Sequence, residues 1–295
     1  MAPTLIERLV AEDGSNSSKK RTAWLLRAIY GEFCCTTIFF LCVFSAICNT
    51  SQQGFDPFQS GLVVSLTAAL TVIAMIFCYS DVSGANFNMA ISFALWLTGK
   101  LSNRKLLLYW TAQLSGALLA LGLIALVFQP SDELWNSLRL DSGTLSDAEL
   151  ARAFFKEFIA TFVLTYIVFH LAFEEGHDSK GEVVRTEGGV TVYTTAPNSK
   201  GAFTPFVFGF LLFGLLNING AAMNPLRILA PAIVGSGSWA CVWVYVLGEL
   251  AGAALAGILV HFFERLKKGS GLGDGTDAEE GEGAEEGGWK APLLQ

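Results

Sequence analysis

Residues 83–97 read SGANFNMAISFALWL, and residues 219–233 read NGAAMNPLRILAPAI. Each stretch opens on a turn-prone run, reaches an asparagine (Asn88, Asn224) and then becomes apolar. The apolar segments 88–97 and 224–233 are too short to cross a bilayer, which takes about 20 residues. Both read as re-entrant half-helices. Non-helical backbone at membrane depth is tolerated only where protein buries it or where it lines a water-filled cavity. The pair therefore points to a pathway inside a membrane protein.

The composition agrees. Of 295 residues, 52% are hydrophobic and 15% charged, against about 25% charged in soluble domains. The net charge of −7 is unevenly spread: residues 269–288 hold seven acids and no base. Without them, 19 acids balance 19 bases. A neutral body has no basic face for nucleic acid, so no nucleic-acid partner is expected. The Gly- and acid-rich tail reads as disordered. Cys34, Cys35, Cys42, Cys48, Cys78 and Cys241 fall in or beside apolar stretches without metal-ligand spacing, and read as small buried hydrophobes. The three histidines are scattered, so no metal site and no cofactor is expected.

Six longer apolar stretches, 25–48, 60–79, 105–128, 153–173, 203–219 and 238–263, read as transmembrane helices. Residues 1–22 lack the apolar core of a signal peptide. The chain then divides into an N-terminal segment 1–24, a membrane body 25–263 and a tail 264–295. Six crossings put both termini on one side. Fifteen of the bases fall on that side, while Arg139, Arg152 and Lys156 fall opposite and Arg227 stands apart. The positive-inside rule makes the terminal side cytoplasmic.

The two halves, about 25–128 and 153–263, repeat one another. Asn88-Met89-Ala90 matches Asn224-Pro225-Leu226, and Gly116-Ala117 matches Gly252-Ala253, both offset by 136 residues. Glu32-Phe33 matches Glu157-Phe158 at an offset of 125. The polar segment 174–202 is long enough to hold the difference. Three spans per half is an odd number, so the halves insert in opposite senses. Such an inverted repeat places its site at the midplane, where broken helices meet. The expected fold is an all-α membrane protein of six transmembrane helices plus two half-helices in an inverted 3+3 repeat.

An asparagine at a half-helix N-terminus caps free backbone donors, and its amide can donate outward. Two half-helices meeting end to end aim two positive dipole ends at the bilayer centre. A polar neutral molecule can accept hydrogen bonds from Asn88 and Asn224 there, whereas a cation meets a barrier. Arg227, about one turn beyond Asn224, is too costly at this depth unless it faces a water-filled path, reaches the interface or pairs with a carboxylate. Glu32 and Glu157, matched within the first and fourth spans, fit either a proton relay or acceptors for the N–H groups of the re-entrant loops. The second role suits both halves equally.

With these residues in place, the sequence resembles the aquaporin (major intrinsic protein) family from about Arg27 to Phe263. Ser83-Gly84-Ala85-Asn86-Phe87-Asn88-Met89-Ala90 stands where the family usually has SGAHxNPA. Asn219-Gly220-Ala221-Ala222-Met223-Asn224-Pro225-Leu226-Arg227 carries the second motif, followed by Pro231-Ala232. Tyr109, Ala112-Gln113 and Gly116-Ala117 fit the third span, and Glu157-Phe158 with Thr161-Phe162 the fourth. The resemblance implies a passive channel for water and small neutral solutes such as glycerol or urea, closed to ions and protons. It also implies a homotetramer in a lipid bilayer, at the plasma membrane or a vacuolar membrane. It makes Asn88, Met89, Ala90, Asn224, Pro225 and Leu226 the central constriction, and Arg227 with Ala68, Leu212 and Ala221 the selectivity filter.

Two departures stand out: Met89 replaces the usual Pro, and Leu226 replaces the usual Ala and is placed to narrow the midpoint. The filter has no His and no aromatic ring, and its two alanines imply a wide apolar opening. Ile228 and Ala232 lack the polar pair common in glycerol channels. A non-conducting structural or adhesion protein and a secondary transporter remain rival functions; an enzyme does not, because no nucleophile and base stand together. Glu249, inside the sixth span and matching Gln113, is either a hydrogen-bonded buried carboxyl or a pH sensor. Asn49-Thr50-Ser51 is a glycosylation sequon expected in the first outside loop.

Overall fold

A computed structural model of the chain describes residues 16–128, 132–138, 145–173, 203–235 and 239–269. Expectations for residues 1–15, for 174–202 and for the acidic tail lie outside them. Nine helices are seen among the described residues. They are α1 (Asn16–Gln52), α2 (Pro57–Ser83), α3 (Met89–Leu97), α4 (Asn103–Phe128), α5 (Asp132–Ser137), α6 (Asp147–Phe173), α7 (Thr204–Asn219), α8 (Leu226–Val234) and α9 (Val242–Gly269). The chain separates into a unit Met1–Val260 and a unit His261–Gln295. The loops and cavity of interest belong to the first.

Local chemistry sets the boundaries. At the start of α2, Asp56 accepts hydrogen bonds from the N–H groups of Phe58 (2.8 Å) and Gln59 (2.9 Å), and the Gln59 side chain accepts from the Asp56 N–H. That reciprocal cap, with Pro57 at the first helical position, fixes where the helix begins. Gly84, at φ 90°, ends it.

Five helices (α1, α2, α4, α6 and α9) are long and apolar enough to cross a membrane. At 1.5 Å per residue, the 16 residues of α7 span about 24 Å, shorter than the hydrocarbon core of about 30 Å. Leu62, Leu66 and Leu70 are exposed on α2, one turn apart. Such a stripe is at ease only in an apolar solvent.

The half-helices interlock the two halves: α3 packs on α4 and on α6 of the other half, while α8 packs on α4. Glycines let the long helices approach. A methyl group added at Gly116 would lie 2.7 Å from the Phe33 carbonyl oxygen and 3.0 Å from Thr37 Oγ1. One added at Gly252 would collide with the Phe158 carbonyl oxygen and lie 3.0 Å from the Phe162 nitrogen. These contacts repeat one another at the offsets read from the sequence, so α1/α4 and α6/α9 are the same helix pair built twice. Close backbone approach through small residues is how helices associate without a hydrophobic driving force.

Several boundaries differ from the sequence reading. The stretch 129–151, which lies between two expected spans, contains α5 and the first turn of α6. Asn49 lies in the last turn of α1 rather than in a loop, and the Thr50 hydroxyl beside it is buried against the Ala46 and Ile47 carbonyls. The second half-helix starts at Leu226, not Asn224. Pro225 already has helical dihedrals but no N–H, so the first donor falls one residue later.

Candidate functional site

Both re-entrant loops hold strained backbone immediately before their asparagines. Phe87 (φ 27°) and Met223 (φ 55°), paired by the 136 offset, lie in the left-handed region. Each such residue costs on the order of 1–3 kcal/mol and persists only when its surroundings over-determine it. Two buried carboxylates supply that determination. Glu32 accepts from Ser83 Oγ (2.7 Å), the Asn86 N–H (2.9 Å), the Phe87 N–H (2.8 Å) and Gln113 Nε2 (2.7 Å). Glu157 accepts from the Ala222 N–H (3.0 Å) and the Met223 N–H (3.0 Å). The backbone donors match pair by pair across the repeat.

The asparagines then bind each other's loops. Asn88 Oδ1 caps α3, accepting from the N–H groups of Ala90 (2.9 Å) and Ile91 (3.4 Å), and Asn88 Nδ2 donates to the Met223 carbonyl (2.8 Å). Asn224 Oδ1 accepts from the Leu226 N–H (3.2 Å), and Asn224 Nδ2 donates to the Phe87 carbonyl (3.0 Å). Each amide nitrogen has two hydrogens, so one on each asparagine is left for another acceptor. The extra N–H brought by Met89 is taken up by Asn224 Oδ1 at 3.4 Å.

The two asparagines face one cavity of about 180 Å³. Ala68, Leu212, Ala221 and Arg227 also line it, as do Phe40, Val43 and Phe208. Its walls include Gly61 and Ser65 near the start of α2 and Leu216 near the end of α7. The cavity thus runs from the paired asparagines toward the face where α1 connects to α2. Met89, Ala90, Pro225 and Leu226 are not among its walls. Ala90 and Leu226 are fully buried in the core.

Arg227 is fixed by groups the sequence reading did not single out. Its Nη1 donates to the Leu138 carbonyl just after α5, and its guanidinium lies 5.6 Å from the centre of the Phe44 ring. Both leave most of its five donors available to the cavity. Leu138 contributes a backbone atom, which no side-chain pattern reveals. Phe39 and its repeat partner at the 125 offset, Leu164, also line the cavity, and neither was singled out from the sequence. Glu249 lies outside the cavity walls and is fully buried, with neither carboxylate oxygen hydrogen-bonded.

Three comparisons bear on this arrangement. The family model described as major intrinsic protein matches residues 18–260. Aquaporin-B of Dictyostelium discoideum is 34% identical over 288 residues, covering 90% of this chain and 96% of that protein. Aquaporin-4 of Mus musculus is 29% identical over 237 residues, covering 80% and 67%. The X-ray structure of the aquaglyceroporin from Plasmodium falciparum superposes with a TM-score of 0.62 at 20% identity, covering 80% of this chain and 96% of that one, a likeness of fold. With paired half-helices, an inverted repeat and a family match across most of its length, this chain belongs to the aquaporin (major intrinsic protein) family.

Proposed function

We propose that this protein is a passive channel for water that also admits small neutral solutes such as glycerol or urea and turns away ions and protons. One observation carries the reading: Asn88 and Asn224, cross-braced at the ends of two opposed half-helices, face the same cavity as Arg227. A passing molecule loses water neighbours and gains amide and guanidinium donors in their place. A cation gains only repulsion, from Arg227 and from two positive helix ends. The names of similar proteins, aquaporin-B, aquaporin-4 and an aquaglyceroporin, favour the same class of solute.

Selectivity follows from the walls. Ala68 and Ala221 add only methyl groups to the walls they share with Arg227, which favours a solute wider than water. Phe40 and Phe208 give it apolar surface on which a carbon backbone can slide. Met89 and Leu226 lie outside those walls. The channel assembles as a homotetramer with one pore per subunit. Both termini are cytoplasmic, in the plasma membrane or a vacuolar membrane. Osmotic swelling of proteoliposomes in inward gradients of glycerol and of urea tests the solute range. Faster swelling than protein-free vesicles is expected, and no swelling with either solute overturns the wide-filter reading.

A further inference from the structure

The repeat matches the two backbone donors around Glu32 to the two around Glu157, and sets one side-chain donor against a carboxyl group. Asn86 and Phe87, which donate to Glu32, correspond to Ala222 and Met223, which donate to Glu157. Gln113 Nε2 also donates to Glu32, at 2.7 Å. At the 136 offset, Gln113 corresponds to Glu249. Where the first half has an amide donor beside a carboxylate, the second half therefore has a second carboxyl group.

Glu249 is fully buried and both its oxygens lack a hydrogen-bond partner. The charged group that acts on it among the described residues is Glu157 of α6. The Asn224 N–H of the loop lies beside it without hydrogen-bonding geometry. Lys156 and Arg227 act on Glu157 in turn. Helix α9 sits hard against α6 here: a methyl group added at Gly248 would lie 3.1 Å from Glu157 Cβ. Ser92, which also accepts from Gln113, corresponds to Ile228, so that position offers Glu249 no hydroxyl. Two ionised carboxylates cannot share such a dry site; one proton between them removes the repulsion and supplies a donor.

We propose that Glu249 is held as a neutral carboxylic acid whose O–H donates to the Glu157 carboxylate. It is a positioning residue: it does for the loop bearing Asn224 and Arg227 what Gln113 does for the loop bearing Asn88. The carbonyl oxygen of Glu249 then stays unpartnered, as Gln113 Oε1 does.

Infrared difference spectroscopy on the purified full-length protein at neutral pH tests this without reference to conduction. Wild type minus Glu249→Gln should show loss of the carbonyl stretch of a protonated acid, down-shifted in heavy water. Loss of carboxylate stretches instead overturns the proposal. Hydrogen exchange at Ala222 and Met223 gives the second readout. Glu249→Gln, an isosteric donor, should leave their protection unchanged, while Glu249→Ala, with no donor, should lose it. Equal loss in both variants also overturns the proposal. If Glu249→Ala fails to fold, the wild-type and Glu249→Gln measurements still decide.

Discussion

Replacing Glu32 with Ala probes the loop architecture at its most concentrated point. Four donors converge on that carboxylate. Ser83 Oγ can rotate to another acceptor, and Gln113 Nε2 keeps Ser92 Oγ at 2.9 Å. The N–H groups of Asn86 and Phe87 have no such freedom in a fully buried loop. Two orphaned buried donors at about 1–3 kcal/mol each give about 2–6 kcal/mol of local destabilisation. Phe87 also loses the bond that offsets its left-handed backbone. At 1.4 kcal/mol per decade, the lower bound already means about thirtyfold faster opening of the loop. Hydrogen exchange resolved to the 83–90 segment, in detergent or nanodiscs, reads this directly. Protection of Asn86 and Phe87 should fall by at least that factor while the α9 amides stay protected. A folded Glu32→Ala protein with unchanged exchange at both amides would refute the view that the carboxylate holds the loop.

Other consequences are simpler. Arg227→Ala removes the guanidinium that lines the cavity beside the Leu138 carbonyl; glycerol flux should rise relative to water, and a vesicle-entrapped pH dye should report a proton leak that wild type lacks. Ala68→Phe puts a ring into a cavity of about 180 Å³, so glycerol swelling should fall more than water flux. Gly116→Ala forces a methyl group to within 2.7 Å of the Phe33 carbonyl oxygen, and overpacking of this kind costs about 1–3 kcal/mol, visible as a lower melting temperature. Met89→Pro restores the residue common in the family, gives up some side-chain packing and loses the long 3.4 Å bond to Asn224. Its stability should change by less than about 1 kcal/mol, measured by thermal unfolding in detergent.

Much of the architecture was legible because the membrane simplifies the code. A span must be apolar along its length, so six stretches declare themselves by composition, and two segments too short to cross declare themselves by failing the same test. The repeat was legible because glycine cannot be exchanged where backbones touch, as Gly116 and Gly252 do against α1 and α6. The partners of Arg227 were not legible. Leu138 acts through a backbone carbonyl placed by the short helix α5, within a stretch whose polarity reads as loop. Phe44 is one of 23 phenylalanines, and nothing in its neighbours marks it as the ring beside a guanidinium. Leu226 reads as a plug by its place in the motif, yet it and its repeat partner Ala90 are fully buried in the core. The motif fixes the backbone path of the loop; which face of the first helical turn meets the cavity is set by packing against other helices.

The electrostatics divide in the same way. Each asparagine commits one amide hydrogen to the opposite loop, so the two loops hold each other in register across the pore axis. Disturbing either carboxylate brace therefore disturbs both asparagines. The two halves form one unit at the centre although they are separate in sequence.

The central claim, a passive pathway past Asn88 and Asn224, is tested most directly by stopped-flow light scattering. Proteoliposomes of the purified full-length chain are shrunk by an impermeant osmolyte while an entrapped dye follows pH. The account predicts water efflux well above that of protein-free vesicles, with no added proton conductance. Water efflux equal to protein-free vesicles, or a proton leak that accompanies it, would contradict the account.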